Sequence, residues 1–282
     1  MGIDPIEYTV WKEKKTPFRK RFLVISEKIF RKKLRSKAIW ILLVIGYFLV
    51  HVFTISSAPF YPPEELTKEL ILYGEGTLIG EPYLKGGLFF IFTILLVSVV
   101  SSDILSQDIR ESSFVLYFSR PLRTVDYISG KIFGGLSVMS LYCAIPPILV
   151  GISVIATQTG DNYLGSFQIL GLTIVAGIFT SFLYLPYAVL LSSLTERKAY
   201  SGIGTFMTFF VLTIVSELFT TFDPNWKLIG PENLLHFSYD VIYGIGLPED
   251  VSLGLYIMAM IALIILPLIT LYIRIRRKEV EG

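Results

Sequence analysis

The chain alternates between long uncharged stretches and short charged ones. Runs free or nearly free of Asp, Glu, Lys and Arg cover residues 38–56, 86–105, 132–157, 164–194, 199–220 and 251–273. A helix needs about 20 apolar residues to cross the hydrocarbon of a bilayer, whereas a helix in a soluble protein averages about 11–12 residues. The pattern therefore predicts six membrane-spanning helices, the fourth and fifth separated only by Glu196, Arg197 and Lys198. Hydrocarbon cannot hydrogen-bond the backbone, so each run must satisfy its own peptide groups as a helix.

Ahead of the first run lies a segment of a different period. At 100° per residue, Phe18, Phe22, Leu23, Ile25, Ile29, Phe30 and Leu34 gather on one half of a helix. Lys20, Arg21, Lys28, Arg31, Lys32 and Arg35 gather on the other, while Arg19, Val24 and Lys33 break the pattern. Pro17 stands where a helix start tolerates proline. This predicts an amphipathic interfacial helix within residues 1–37, its basic face toward anionic headgroups.

Charge then orients the spans. Of 25 Lys and Arg residues, 22 fall before residue 38, between the second and third runs through Lys131, at Arg197 and Lys198, or after residue 273. Lys and Arg collect in cytoplasmic loops. The pattern thus predicts a multi-pass cell-membrane protein with both termini in the cytoplasm and residues 274–282 as a tail. A signal peptide fits poorly, because the charged lead is too long and the first apolar run exceeds the usual span of about 7–15 residues.

Composition agrees with a membrane class: 53% of residues are hydrophobic, 17% are charged, and mean hydropathy is +0.63. The net charge of +2 singles out no acidic partner, and nothing points to nucleic acid. The single Cys143 lies in an apolar run and reads as a small buried residue. His51 and His236 are far apart and, with Cys143, make no metal-ligand spacing. No nucleophile–base pattern appears, so no catalytic residue is assigned. Gly130-Lys131 is followed by Ile132, and Val125 stands where a phosphate-binding loop needs glycine, so no P-loop is present.

The connection after the second run carries the most information. It reads from Ser106 through Gln107, Asp108, Arg110, Glu111, Ser112, Ser113, Phe114 and Leu116 to Ser119, Pro121 and then Gly130-Lys131. An acidic residue, a small-residue and apolar step, Ser-x-Pro and Gly-Lys resemble the permease subunits of ABC-2-type transporters, in particular the NosY- and GldF-like branch. Asp108 replaces the usual glutamate and Ser112 the usual glycine, which suggests that the helix continues through 112. The resemblance implies an all-α, type V exporter-like fold of six spans with an N-terminal interfacial helix. It also implies a coupling helix over 106–118 that docks on an ATP-binding subunit through Gln107, Asp108, Arg110, Glu111, Ser112, Ser113, Phe114 and Leu116. Two permeases, identical or related, pair with two ATPases, which hold ATP and Mg; this chain binds no cofactor.

In the same family likeness, the first and fifth spans form the interface between permeases. Any route for a substrate would run near Tyr47, His51, Thr54, Thr205, Thr208 and Thr213, and residues 222–250 would form a re-entrant outer hairpin. Gly202 and Gly204 suit close helix approach. Asp103 reads as facing the cytoplasmic interface, and Lys131 as snorkelling from the start of the third span. Pro146-Pro147 and Pro186 interrupt the third and fourth spans. Export or flipping, mechanical work on an outer partner, and secondary transport all remain open functions, the last without the paired charges it wants.

Overall fold

A computed structural model describes residues 21–52, 87–114, 117, 122–157 and 163–281. Among these residues every regular element is helical. Helix α1 (Arg21–Leu34) leads into α2 (Lys37–Gly46), which continues as a π-helical turn over Tyr47–Val52. Then follow α3 (Gly87–Ser101), the single-turn α4 (Ser106–Arg110), α5 (Thr124–Cys143), α6 (Ile145–Thr157), α7 (Tyr163–Ser192) and α8 (Lys198–Thr220). A 3-10 helix (Pro224–Ile229) precedes α9 (Pro231–Ile242). The final helix runs as α10 (Leu253–Met260), a π turn (Ile261–Ile265) and α11 (Leu266–Glu281).

Five helical stretches are long and apolar enough to cross a membrane: Gly87–Arg110, Thr124–Ile152, Leu170–Ser192, Lys198–Thr220 and Leu253–Lys278. The chain is built as a multi-pass membrane protein. The first predicted span is described only as the shorter apolar helix Lys37–Val50, because residues 53–56 lie outside the described residues. So do residues 18–20 of the predicted amphipathic helix and the connection over 57–85.

The core sits on α3, α5 and α7. Phe89, Ile94, Val97, Val100, Val138, Met139, Leu183 and Val189 are buried there. Tyr142 is ringed by Tyr47, Phe89 and Phe92, at 6.0, 5.5 and 6.5 Å between centroids. By contrast, α8 and α10–α11 expose most of their apolar surface, including Ile203, Met207, Phe210, Leu218, Leu266 and Ile269. A helix hydrophobic all round is satisfied by lipid or by another chain, not by its own bundle.

Where the third run meets Pro146-Pro147 the helix breaks at Ala144, whose N–H still reaches Ser140 O, and resumes as α6. Proline cannot donate to the preceding turn, so the break falls just ahead of the pair. Gly177 of α7 lies against this break: a Cβ there would stand 2.5 Å from Cys143 O. Pro186, in contrast, is carried inside α7, which continues to Ser192.

Helix α1 packs along α5. Gly130 and Gly134, four residues apart, remove the side chains that would hold the helices apart. A Cβ at Gly130 would lie 2.7 Å from Ile25 Cβ, and one at Gly134 2.7 Å from Ile29 Cβ. Phe22 meets Phe133 at 5.6 Å between centroids. Small residues at this spacing let helix backbones approach closely. Lys33, which broke the amphipathic pattern, lies on this buried face.

At the other end of the bundle, α9 runs beside α7. Pro231 O accepts from Tyr184 Oη at 2.9 Å, Tyr239 meets Thr180, and Tyr243 meets Thr173 at 2.8 Å. Gly230 sits so close to Ser216 of α8 that a Cβ there would reach Ser216 Oγ at 2.2 Å. The segment predicted as a hairpin over 222–250 therefore packs on α7 and α8, and Asn225 also accepts from the Ser252 N–H at 2.9 Å.

Candidate functional site

The buried charged side chains Asp108 and Lys131, with Lys33 and the buried Ser106 and Ser192, lie around α4 and the bend ahead of it. Only five residues long, α4 cannot stand alone, since a helix this short barely exceeds its nucleus. Its first amides are met from another helix. Ser192 Oγ, at the end of α7 and fully buried, accepts from the N–H groups of Leu105 and Ser106, each at 3.2 Å. A serine oxygen thus supplies in space the cap that Leu105 cannot supply in sequence.

The far end of α4 closes by a left-handed turn. Ser112 has φ +50, its N–H bonds to Ile109 O at 3.2 Å, and the Ser113 N–H bonds to Asp108 O at 3.0 Å. These are the two bonds of a Schellman closure, which usually places glycine at the left-handed position. Gly244, with φ +78, plays that part after α9. The expectation of one helix over 106–118 is corrected here. The chain turns at Ser112; of the described residues just beyond it, Phe114 and Tyr117 are again helical. The closing carbonyls of the turn outweigh the strain of serine at positive φ.

Asp108 is the second anchor. It is buried, and its carboxylate lies 2.6 Å from Lys131 Nζ and accepts from the Tyr127 hydroxyl. Lys131 also donates to Ile104 O at 2.8 Å and lies 5.3 Å from the Tyr127 ring centroid. Lys131 is therefore an interior ion-pair partner and does not snorkel. Asp108 likewise turns toward α5 instead of outward, so it braces α4 and offers a partner no carboxylate. Phe114 is also inward, at 5.8 Å from the Tyr127 ring.

A third anchor forms around Asp103. Lys33 of α1 pairs with its Oδ1, while Lys32 and Lys198 approach its Oδ2 at 3.3 and 3.8 Å. The Asp103 side chain is 12% exposed, so it does not lie open to the interface as the sequence suggested. Burial pulls the Lys33 ammonium down to about 8, against the opposing pull of Asp103. Lys32 also donates to Gln107 Oε1 on α4. Lysines from two distant helices, α1 and α8, thus meet on one carboxylate.

What faces outward at α4 is short and polar. Arg110 and Glu111 are exposed and paired at 3.2 Å, and Gln107 donates to Glu111 Oε1 at 2.8 Å. Gln107 and then Arg110 hold the Glu111 carboxyl below its ordinary range. Ser112 is exposed, Ser113 is half-buried, and Leu116 lies outside the described residues.

The described members of the predicted pathway set hydrogen-bond to nearby backbone. Tyr47 donates to Leu141 O on α5. Thr205, buried on α8, donates to Ser201 O, Thr208 to Gly204 O, and Thr213 to Phe209 O, each within its own helix. Thr54 and the His51 side chain lie outside the described residues. Gly202 approaches α3, with Ser98 O 3.3 Å from a Cβ there, whereas Gly204 faces open space.

Sequence reasoning missed the roles of Ser192, Tyr127, Gly134 and Lys33. Two signals were available: the small-residue spacing of Gly130 and Gly134, and a lysine out of phase on α1 beside an acid in an otherwise apolar span. No metal-binding group of three or more His, Cys, Asp or Glu occurs among the described residues. No family model and no curated protein matches the sequence.

Proposed function

We propose that this chain is the membrane subunit of an ATP-driven ABC-2-type transporter, moving a substrate out of, or across, the cell membrane. The observation that carries the reading is the bracing of α4. One exposed polar turn is tied by buried groups to α5 and α7, and the bend just ahead of it is tied through Asp103 to α1 and α8, so force applied to it reaches most of the bundle. In this reading Gln107, Arg110 and Glu111 meet a groove on the ATP-binding subunit, while Asp108, Lys131, Tyr127 and Ser192 transmit its motion. ATP and Mg are held on that partner.

The working unit holds two copies of each subunit. The exposed apolar faces of α2 and α8 supply a surface for the second permease, and the first apolar run counts as a span, for six in all. Both termini are cytoplasmic. Nucleotide drives transport only if it binds one global state of the complex better than another, which requires a rigid link such as this junction. The link serves equally if the output is mechanical work on an outer partner.

The test is to purify the tagged chain from its native membrane and assay ATP hydrolysis and co-purifying subunits. An ATP-binding subunit should accompany the chain, and Arg110→Glu with Glu111→Arg should strip it away while the chain still folds. Purification of the chain without any ATPase, or full retention by the charge-swapped variant, rejects the proposal.

A further inference from the structure

The end of α11 forms one side of an open cleft. Leu194, Thr270, Ile273, Arg274, Arg277 and Lys278 line a cavity of about 420 Å³, a volume ordinary for small-ligand sites. The lining divides by chemistry. Arg274, Arg277 and Lys278 are spaced i, i+3, i+4, and so share one helix face. Leu194, from the turn after α7, and Ile273 supply apolar wall, and no carboxylate is among the lining residues.

Two of the three cations are held in place. Arg274 Nε donates to Ser193 O at 3.0 Å, which fixes the guanidinium against the end of α7. Lys278 Nζ lies 5.6 Å from the Phe114 ring centroid. Arg276 points to another side, over Tyr272 at 6.0 Å, so the cleft gathers a selected set of the tail's charges.

The apolar part does not stop at the cleft. Ile273, Ile269 and Leu266 are 47%, 54% and 57% exposed and succeed one another by three or four residues, forming a stripe down α11. Leu194 is itself 57% exposed at the rim. The apolar stretch of the last span ends where the cations begin, which is the depth of lipid headgroups. An inorganic anion would satisfy the cations and leave the stripe uncovered. A phospholipid covers both.

We propose that this cleft is a binding site for an anionic phospholipid, its phosphate held by Arg274, Arg277 and Lys278 and an acyl chain laid along Ile273, Ile269 and Leu266. Basic pockets between membrane helices recognise such headgroups, whereas scattered surface lysines only attract them. The site stands on the cleft and its charges, independently of any ATPase.

The experiment counts lipids retained by the full-length chain after detergent exchange, by native mass spectrometry, with phosphatidylglycerol against phosphatidylcholine. Phosphatidylglycerol should be retained preferentially. Arg277→Gln with Lys278→Gln should weaken retention by roughly 30-fold, at about fivefold for each cation removed near a headgroup. Arg123→Gln with Arg276→Gln, which removes the same charge from exposed positions outside the cleft lining, should leave it nearly unchanged. Leu194→Ser should weaken phosphatidylglycerol but not the water-soluble glycerophosphoglycerol, which separates a lipid from a phosphate site. Equal losses in the two double variants, equal retention of the two lipids, or displacement of the lipid by inorganic phosphate overturns the proposal.

Discussion

Replacing Asp108 by asparagine removes one charge from a pair whose side chains are 11% and 9% exposed and 2.6 Å apart. The Lys131 ammonium would keep Ile104 O, the Tyr127 ring and the asparagine oxygen as partners but lose its counter-charge. Breaking a buried pair from one side costs about 3–5 kcal/mol, because the remaining charge stays out of water uncompensated. Lys131→Met should cost somewhat less, about 3 kcal/mol, since the Tyr127 hydroxyl still donates to the Asp108 carboxylate. The double variant removes both charges and leaves a neutral, packed site, so it should be more stable than the sum of the singles by about 3 kcal/mol. Unfolding of the purified chain in mixed micelles by titrated dodecyl sulfate, followed by far-ultraviolet circular dichroism, measures all four corners of the cycle. Additive single costs, or an Asp108→Asn variant within about 0.5 kcal/mol of the parent, would mean that the carboxylate faces water and that α4 is not braced through it.

Other substitutions probe the same architecture. Gly134→Leu should drive α1 away from α5 at a cost of about 1–3 kcal/mol, and a Ser26→Cys reporter on a Cys143→Ala background should pass from protected to maleimide-reactive. Ser112→Gly should stabilise the chain by about 1 kcal/mol in the same micelle titration, by relieving a side chain at φ +50. Glu232, on α9, is raised to about 7 by burial and then by Glu217. Because the folded chain takes up that proton at higher pH than the unfolded chain does, stability should rise as pH falls from about 7 toward 4.5. Glu232→Gln should remove that rise and add about 2 kcal/mol at pH 8, a figure already discounted for partial exposure. A flat pH profile in the parent chain would show that the site is solvated.

The helices were legible in the sequence because hydrocarbon leaves a peptide no other option. Uncharged runs over 86–105, 199–220 and 251–273 coincide with α3, α8 and α10–α11 without any knowledge of their neighbours. The local break ahead of Pro146-Pro147 is read the same way, from one ring and one missing N–H. Burial of particular polar groups was not legible. Sequence alone treats Asp108, Asp103, Lys131 and Lys33 as interfacial charges, since each lies near the end of an apolar run and water is the default partner there. Their actual partners are 23 and 70 residues away along the chain, at Lys131 and Lys33; packing of α4 on α5 makes the first pair, and docking of α1 on the bundle makes the second. The turn at Ser112 is decided likewise. Serine propensity is nearly neutral between helix and turn, and Ser192 from α7 together with the Asp108–Lys131 pair fixes where α4 starts and stops. Solvent chemistry along one dimension determined which segments are helices; the pairing of charges, which depends on distances between segments, belonged to the tertiary structure.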